Sequence, residues 1–266
     1  MKKEKILCNI ENLIDIDNYK KIGINNFLFA VDGFSIGYNS FNINELKKLE
    51  CNKYLLLNRV LNNEDIDNLL KIKEELKCFD GIIFEDIGVY NILYDTNIKL
   101  IWNQNHFATN YKSINYYLEM MDSAVISNEL TKEEVKDIID RVNKPIILNV
   151  FGKNMIMYSR RTLLTNFNKY YNLSEIRDSI IEEPITNNEF NIKEYDNGTI
   201  IYNNKYFNII NYLNELNDDN ILFYLIYPNG LDYVEIDKII NNNSNIVYDD
   251  GFMNRKTIYK LGEKKW

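Results

Sequence analysis

The chain has 266 residues, 45% of them hydrophobic and 26% charged, which is enough apolar content for a packed core and excludes a disordered polymer. A net charge of −8 and a pI near 4.9 exclude a broad basic face of the kind that binds nucleic acid nonspecifically, though not a local basic pocket. No window approaches the roughly 18 continuous apolar residues of a membrane span, so no membrane partner is expected.

In chain order, the N-terminal stretch MKKEKILCNIENLID turns acidic too soon, after too short an apolar run, to read as a signal peptide, and a cytoplasmic location is expected. Short apolar runs follow at Ile6–Ile10, Phe27–Val31, Tyr54–Asn58, Gly81–Phe84, Lys99–Asn103, Ala124–Ser127, Ile146–Val150 and Ile221–Tyr227. Such runs are expected of strands covered on both faces in a parallel sheet. Helical patterns alternate with them. Ile114, Tyr117, Leu118 and Met121 share one face, as do Val135, Ile138, Ile139 and Val142. Thr131 with Glu134 spells a capping box, and Asp232 with Glu235 repeats the pattern.

Eight strand-then-helix units in this length predict an α/β fold, a single (β/α)8 TIM-like barrel, over an open doubly wound sheet. Only three prolines and no Gly/Ser-rich linker occur, which favours one domain over residues 1–266. The pattern breaks between Asn172 and Tyr206, where Asn197-Gly198 reads as a type I′ turn. A β-hairpin insertion is therefore expected near residues 190–203, ahead of the eighth unit.

In such a barrel the loops after the strands share one mouth, and their polar residues are the candidate site. Asp32, Ser35 and Gly37 follow the second strand, Asn58 and Arg59 the third, Glu85 and Asp86 the fourth. Gln104, Asn105, the lone His106 and Asn110 follow the fifth, Asn128 and Glu129 the sixth, and Ser159, Arg160 and Arg161 the seventh. Glu129, Glu85 and His106 are the acid/base candidates. Arg59, Asp86, Gln104, Asn105, Asn110, Ser159, Arg160 and Arg161 are the binding candidates, the arginines suited to a carboxylate or phosphate. Plainer roles stand beside these: Glu129 as a helix-start charge, His106 as a core histidine, Glu85 as an ion-pair partner of Arg59, Ser159 as a helix N-cap.

Usual hydrolytic machinery is not legible. There is no GxSxG elbow, and one histidine cannot supply a zinc peptidase ligand set. Cys51 and Cys78 precede strands and Cys8 lies inside one, so none stands at the mouth. What remains is water activated by Glu85, Asp86 or Glu129, with Arg160 or Arg161 holding an oxyanion.

The stretch PIILNVFGKNMIMYSRRTLL (145–164), an apolar strand running into Phe151-Gly152 and then Met-Tyr-Ser-Arg-Arg, resembles the signature of peptidase family U32, the collagenase-like proteases. FEDIGVYNIL (84–93), NQNHFATNYKSINYY (103–117), ISNELTKEEVKDI (126–138) and EYDNGTIIYNNKYFNIINYLNEL (194–216) resemble that family in the same order. The resemblance implies a peptidase or other hydrolase acting on a peptide or another anionic small ligand. Some relatives instead modify RNA bases or hydroxylate quinone precursors, and carry an iron–sulfur cysteine cluster around and after the signature helix. Residues 162–188 hold no cysteine here, with Thr162 about where the first would stand. Three scattered thiols cannot supply the roughly four ligands of a cluster, so no metal and no cofactor is expected. A cluster-free factor or partner subunit in RNA modification, with RNA or a protein as its partner, is the second expectation. A non-catalytic ligand-binding scaffold is the third.

Overall fold

The computed structural model describes residues 1–216 and 219–255. Seven strands run in order: β1 (Ile6–Asn9), β2 (Asn26–Val31), β3 (Asn52–Leu57), β4 (Gly81–Phe84), β5 (Lys99–Asn103), β6 (Ser123–Val125) and β7 (Ile146–Gly152). After four strands of a separate sheet comes β12 (Ile221–Ile226). Each of the eight pairs in parallel with its neighbours, and β12 closes the ring by pairing β1 through Ile6↔Tyr224 and β7 through Ile221↔Ile146. The protein is a closed (β/α)8 barrel. Closure leaves its strands no open edge.

Helices α1 (Ile16–Lys21), α2 (Ile43–Leu46), α3 (Asn63–Leu76), α4 (Ile87–Leu93), α5 (Tyr111–Leu118) and α6 (Lys132–Arg141) follow the first six strands, and α8 (Tyr233–Ile240) follows β12. At α6, Glu134 N–H donates to Thr131 Oγ1 at 3.3 Å and Thr131 N–H donates to Glu134 Oε2 at 2.8 Å, the reciprocal cap read from sequence. Asp232 caps α8 by accepting from Glu235 N–H, but the Glu235 carboxylate turns to Ser244 and Lys238, so that box is only half made. Behind β7 the covering element is a 3₁₀ segment, Ile210–Glu215, whose Ile210 and Leu213 enter the core.

Period-two alternation divides the core into two layers. Outward residues such as Phe29, Leu55, Phe84 and Leu148 pack under the helices. Inward residues Leu7, Leu28, Leu56, Ile83, Ile101, Val125, Ile147 and Leu225, one from each strand, fill the barrel.

The insertion is larger than the expected hairpin. It comprises β8 (Met155–Ser159), α7 (Leu163–Tyr171), β9 (Asp178–Glu183), β10 (Asn188–Tyr195) and β11 (Gly198–Asn203), with an antiparallel order β9-β10-β11-β8. The residues before Ser159, read from sequence as a helix N-cap, form β8 against β11 through Ser159↔Thr199 and Tyr158↔Ile200. The reason is burial: Met155 and Tyr158 pack against Ile200, Tyr202 and Ile36, a contact that only an extended segment presents. The hairpin loop is Asp196-Asn197, one residue earlier than expected, since Tyr195 pairs with Gly198. Gly198 has φ +142°, and a side chain there would run into the Ser159 carbonyl, so close backbone approach rather than turn geometry requires the glycine. Tyr202 Oη donates to Gly37 O at 2.7 Å and fastens the insertion over the barrel mouth. Among the described residues no helix is long and apolar enough to cross a membrane.

Candidate functional site

Continuing the inward alternation one step past the apolar layer gives Ala30 on β2 and, on the other seven strands, the polar residues Asn9, Asn58, Glu85, Asn103, Ser127, Asn149 and Tyr227. The polar residues stand at or just past the C-terminal ends of β1, β3, β4, β5, β6 and β12 and in the middle of β7, so a polar ring, broken only by Ala30, rests directly on an apolar floor. Above it opens a cavity of about 290 Å³. Asn58, Glu85, Asn103, Gln104, Asn105, His106, Asn128, Asn149, Lys153, Asn154 and the tyrosines Tyr38, Tyr158 and Tyr227 contribute to its wall.

Among the described residues Glu85 is the one carboxyl that lines the cavity. Asn103 Nδ2 donates to its Oε1 at 3.2 Å, and Gln104 Nε2 donates to its backbone oxygen at 2.8 Å. Burial without a cationic partner pushes the Glu85 carboxyl up to about 8, so at neutral pH it is an acid rather than an anion. Tyr38 and Tyr227 stack with ring centroids 4.7 Å apart, and burial holds both phenols well above their ordinary range. Lys153, also lining the wall, is lowered by burial; its ammonium donates to Asn191 Oδ1 at 3.3 Å and lies over the Tyr206 ring. Two carbonyl oxygens of the ring, Asn9 Oδ1 and Asn149 Oδ1, are buried without a hydrogen-bond partner. Asn58 is already committed, accepting from Ile36 N–H at 2.9 Å and donating to Ile36 O at 3.0 Å.

The sequence-derived candidates separate into three groups. Glu85, Gln104, Asn105 and His106 line the cavity. Glu129 lines an adjoining compartment of about 630 Å³ that shares Asn105, Asn128 and Asn154 with the first, and its Oε1 lies 3.7 Å from His106 Nδ1 at the exposed rim. The others are held elsewhere. Arg59 pairs at 3.3 Å with Asp65, in the first turn of α3, and donates to the Gly33 carbonyl in the loop after β2, not to Glu85, because both partners lie beside it. Asp86 caps α4 by accepting from Gly88 N–H at 2.8 Å, and Asn110 caps α5 by accepting from Ser113 N–H at 3.0 Å. Ser159 Oγ accepts from Arg161 N–H at 3.3 Å within the strand-to-helix turn, while Thr162 holds the N-cap position of α7. Arg160 and Arg161 are exposed on the insertion and line neither cavity.

Sequence reasoning passed over Asn9, Asn103, Asn149 and Tyr227, which it had absorbed into apolar strands. The signal that finds them is the same alternation that fills the barrel. An inward position remains inward at the next step of two, whatever its polarity, so the ring comes from strand ends rather than from the charged residues one position on.

With this barrel and its mouth defined, comparison with known proteins gives the class. The profile of peptidase family U32 matches residues 30–226, and the chain belongs to that family. A curated relative, tRNA hydroxylation protein P2 of Bacillus subtilis (strain 168), is 24% identical over 182 residues, covering 63% of this chain and 58% of the relative. The chain thus spans less than two thirds of that relative's length. Among solved structures, the spore cortex-lytic enzyme SleL of Bacillus megaterium QM B1551 is similar at 14% identity and TM-score 0.43, covering 94% of this chain and 76% of that one. A chitinase from Chromobacterium violaceum ATCC 12472 is similar at 10% identity and TM-score 0.42, covering 90% and 98% respectively.

Proposed function

We propose that the mouth cavity receives a nucleobase and that the protein acts in the modification of RNA, in the manner that the name of its B. subtilis relative suggests, as a factor or partner subunit in base hydroxylation. The observation that carries this reading is the ring itself. Amide side chains, one un-ionised carboxyl and a stacked tyrosine pair surround a pocket near the lower end of ligand-site volumes, about 300 Å³, over an apolar floor. Planar heterocycles are recognised by such hydrogen bonds to their edges together with apolar or aromatic contact. A net charge of −8 disfavours a broad phosphate footprint, so the base rather than the backbone carries the affinity in this reading unless a partner supplies cations. The test is nucleoside analysis of tRNA from cells with and without the protein. Loss of the protein should remove a hydroxylated nucleoside and leave its counterpart one oxygen atom lighter. An unchanged nucleoside profile refutes the reading.

Hydrolysis, the activity in the family's name, is the second reading, and the His106–Glu129 contact favours it. In that reading Glu129 and His106 activate water at the rim and Glu85 supplies the proton for the leaving group. Cleavage of a gelatin or peptide substrate that disappears in both Glu129→Gln and His106→Ala supports it, and its persistence in both refutes it.

A further inference from the structure

Glu85 occupies the ring at the end of β4, and its surroundings limit how it can meet a ligand. No lysine or arginine pairs with it among the described residues, since Arg59, the nearest arginine in sequence, is bound to Asp65. Among the described residues its one side-chain hydrogen-bond partner is Asn103, whose Nδ2 donates to Oε1, so Oε1 accepts and a proton on the group falls to Oε2. The second oxygen, Oε2, has no hydrogen-bond partner among the described residues. Three strands round the ring, on β7, the Asn149 carbonyl oxygen is buried and has no hydrogen-bond partner among the described residues. A cavity-lining carboxyl with one oxygen left open suits a ligand offering a donor and an acceptor side by side.

We propose that Glu85 binds the base as a carboxylic acid, its Oε2 hydroxyl donating to a ring acceptor while Oε1 accepts the neighbouring ring N–H. This rests on the base-binding reading above and adds the protonation state and the edge that is read. A carboxylic acid and a nucleobase edge with an N–H beside an acceptor form two parallel hydrogen bonds in one plane. A carboxylate lacks the donor and would set a negative charge against the acceptor lone pair. Burial pushes the Glu85 pKa up to about 8, which keeps the required protonated form populated below that pH. Other titratable groups on the cavity wall are Tyr38, Tyr158, Tyr227, Lys153 and His106. Burial keeps the three phenols protonated across that range. Lys153 and His106 therefore require control variants.

The experiment measures dissociation constants of the four ribonucleosides for the full chain between about pH 6 and about pH 10, in wild type, Glu85→Gln, Glu85→Ala, Lys153→Met and His106→Asn. Titration of the probe itself appears equally in Glu85→Gln and cancels in the comparison. Wild-type affinity should fall about tenfold per pH unit above about 8. Glu85→Gln, which keeps one donor and one acceptor at every pH, should bind within about threefold of wild type at neutral pH and lose that decline. Glu85→Ala should bind roughly tenfold more weakly throughout, and the two control variants should keep the wild-type decline. Binding that is constant or tightens through pH 8, or a Glu85→Gln protein as weak as Glu85→Ala, overturns the proposal while leaving the base-binding reading standing. If no nucleoside binds at any pH, the base-binding reading falls. The infrared carbonyl band of a protonated carboxyl, wild type minus Glu85→Gln at neutral pH, then decides the state of Glu85 by itself, and its absence overturns the proposal.

Discussion

Replacing Gly152 by alanine tests how the family signature shapes the mouth. Gly152 ends β7 with φ +143°, a backbone region that side chains rarely adopt. A Cβ built there would lie 2.7 Å from Tyr227 Cβ, 2.9 Å from the Tyr227 carbonyl oxygen and 3.0 Å from Asn229 Oδ1. Two of these three neighbours are backbone or the root of a side chain, so they yield only if β12 moves away from β7. Strain at such a conformation costs about 1–3 kcal/mol, and forced overpacking adds about 1–3 kcal/mol. The expected loss is therefore roughly 2–6 kcal/mol, a large part of a typical domain's stability of about 5–15 kcal/mol. Because Tyr227 stacks on Tyr38 in the cavity wall, the same displacement should disturb the site. Urea unfolding of Gly152→Ala followed by circular dichroism should show a lower midpoint at unchanged slope, with an altered near-ultraviolet tyrosine signal. A midpoint within about 0.5 kcal/mol of wild type would mean that this glycine is incidental and the close approach is not required.

Further outcomes follow from the buried polar groups. Asn58→Ala strands the buried Ile36 N–H and carbonyl, each worth about 1–3 kcal/mol unsatisfied, so thermal unfolding should fall by several degrees; an unchanged midpoint refutes the clamp. Glu85 has its carboxyl raised to about 8 in the fold from an ordinary 4.5, so the folded state holds the proton more tightly than the unfolded chain. Its contribution is complete below pH 4.5 and is lost as pH rises to about 8, a change on the order of 4 kcal/mol. Glu85→Gln should abolish that slope between pH 5 and pH 8 in denaturation curves, and an identical slope in the variant would refute it. A thiol reagent should label exposed Cys78 fast and half-buried Cys51 slowly, whereas buried Cys8, its thiol raised by desolvation, should react only on unfolding; early labelling of Cys8 refutes the burial.

Short apolar runs between amphipathic segments determine a parallel α/β fold on their own, because strands covered on both faces demand helices on either side, and eight such units in this length point to the barrel over an open sheet. The eight runs, the helix faces at Ile114 and Val135 and the Thr131–Glu134 cap are local patterns, and the fold keeps them. The sequence also determined which strand ends contribute to the mouth, and Glu85, Gln104, Asn105 and His106 stand in its wall. It did not determine that β8 is a strand, since that segment is held extended only by β11, some forty residues on, and by Ile36 from the barrel. Nor did it separate charges that face the cavity from charges that face away. Glu85 and Asp86 are adjacent and chemically alike, yet one turns into the ring and the other caps a helix. Arg59 found Asp65 and a carbonyl within its own neighbourhood rather than the carboxyl across the strand. Which way a side chain at a strand end points depends on barrel register, and register is a property of all eight strands paired at once. That global pairing, which no single segment encodes, is what placed an unpaired carboxyl among amides at the mouth.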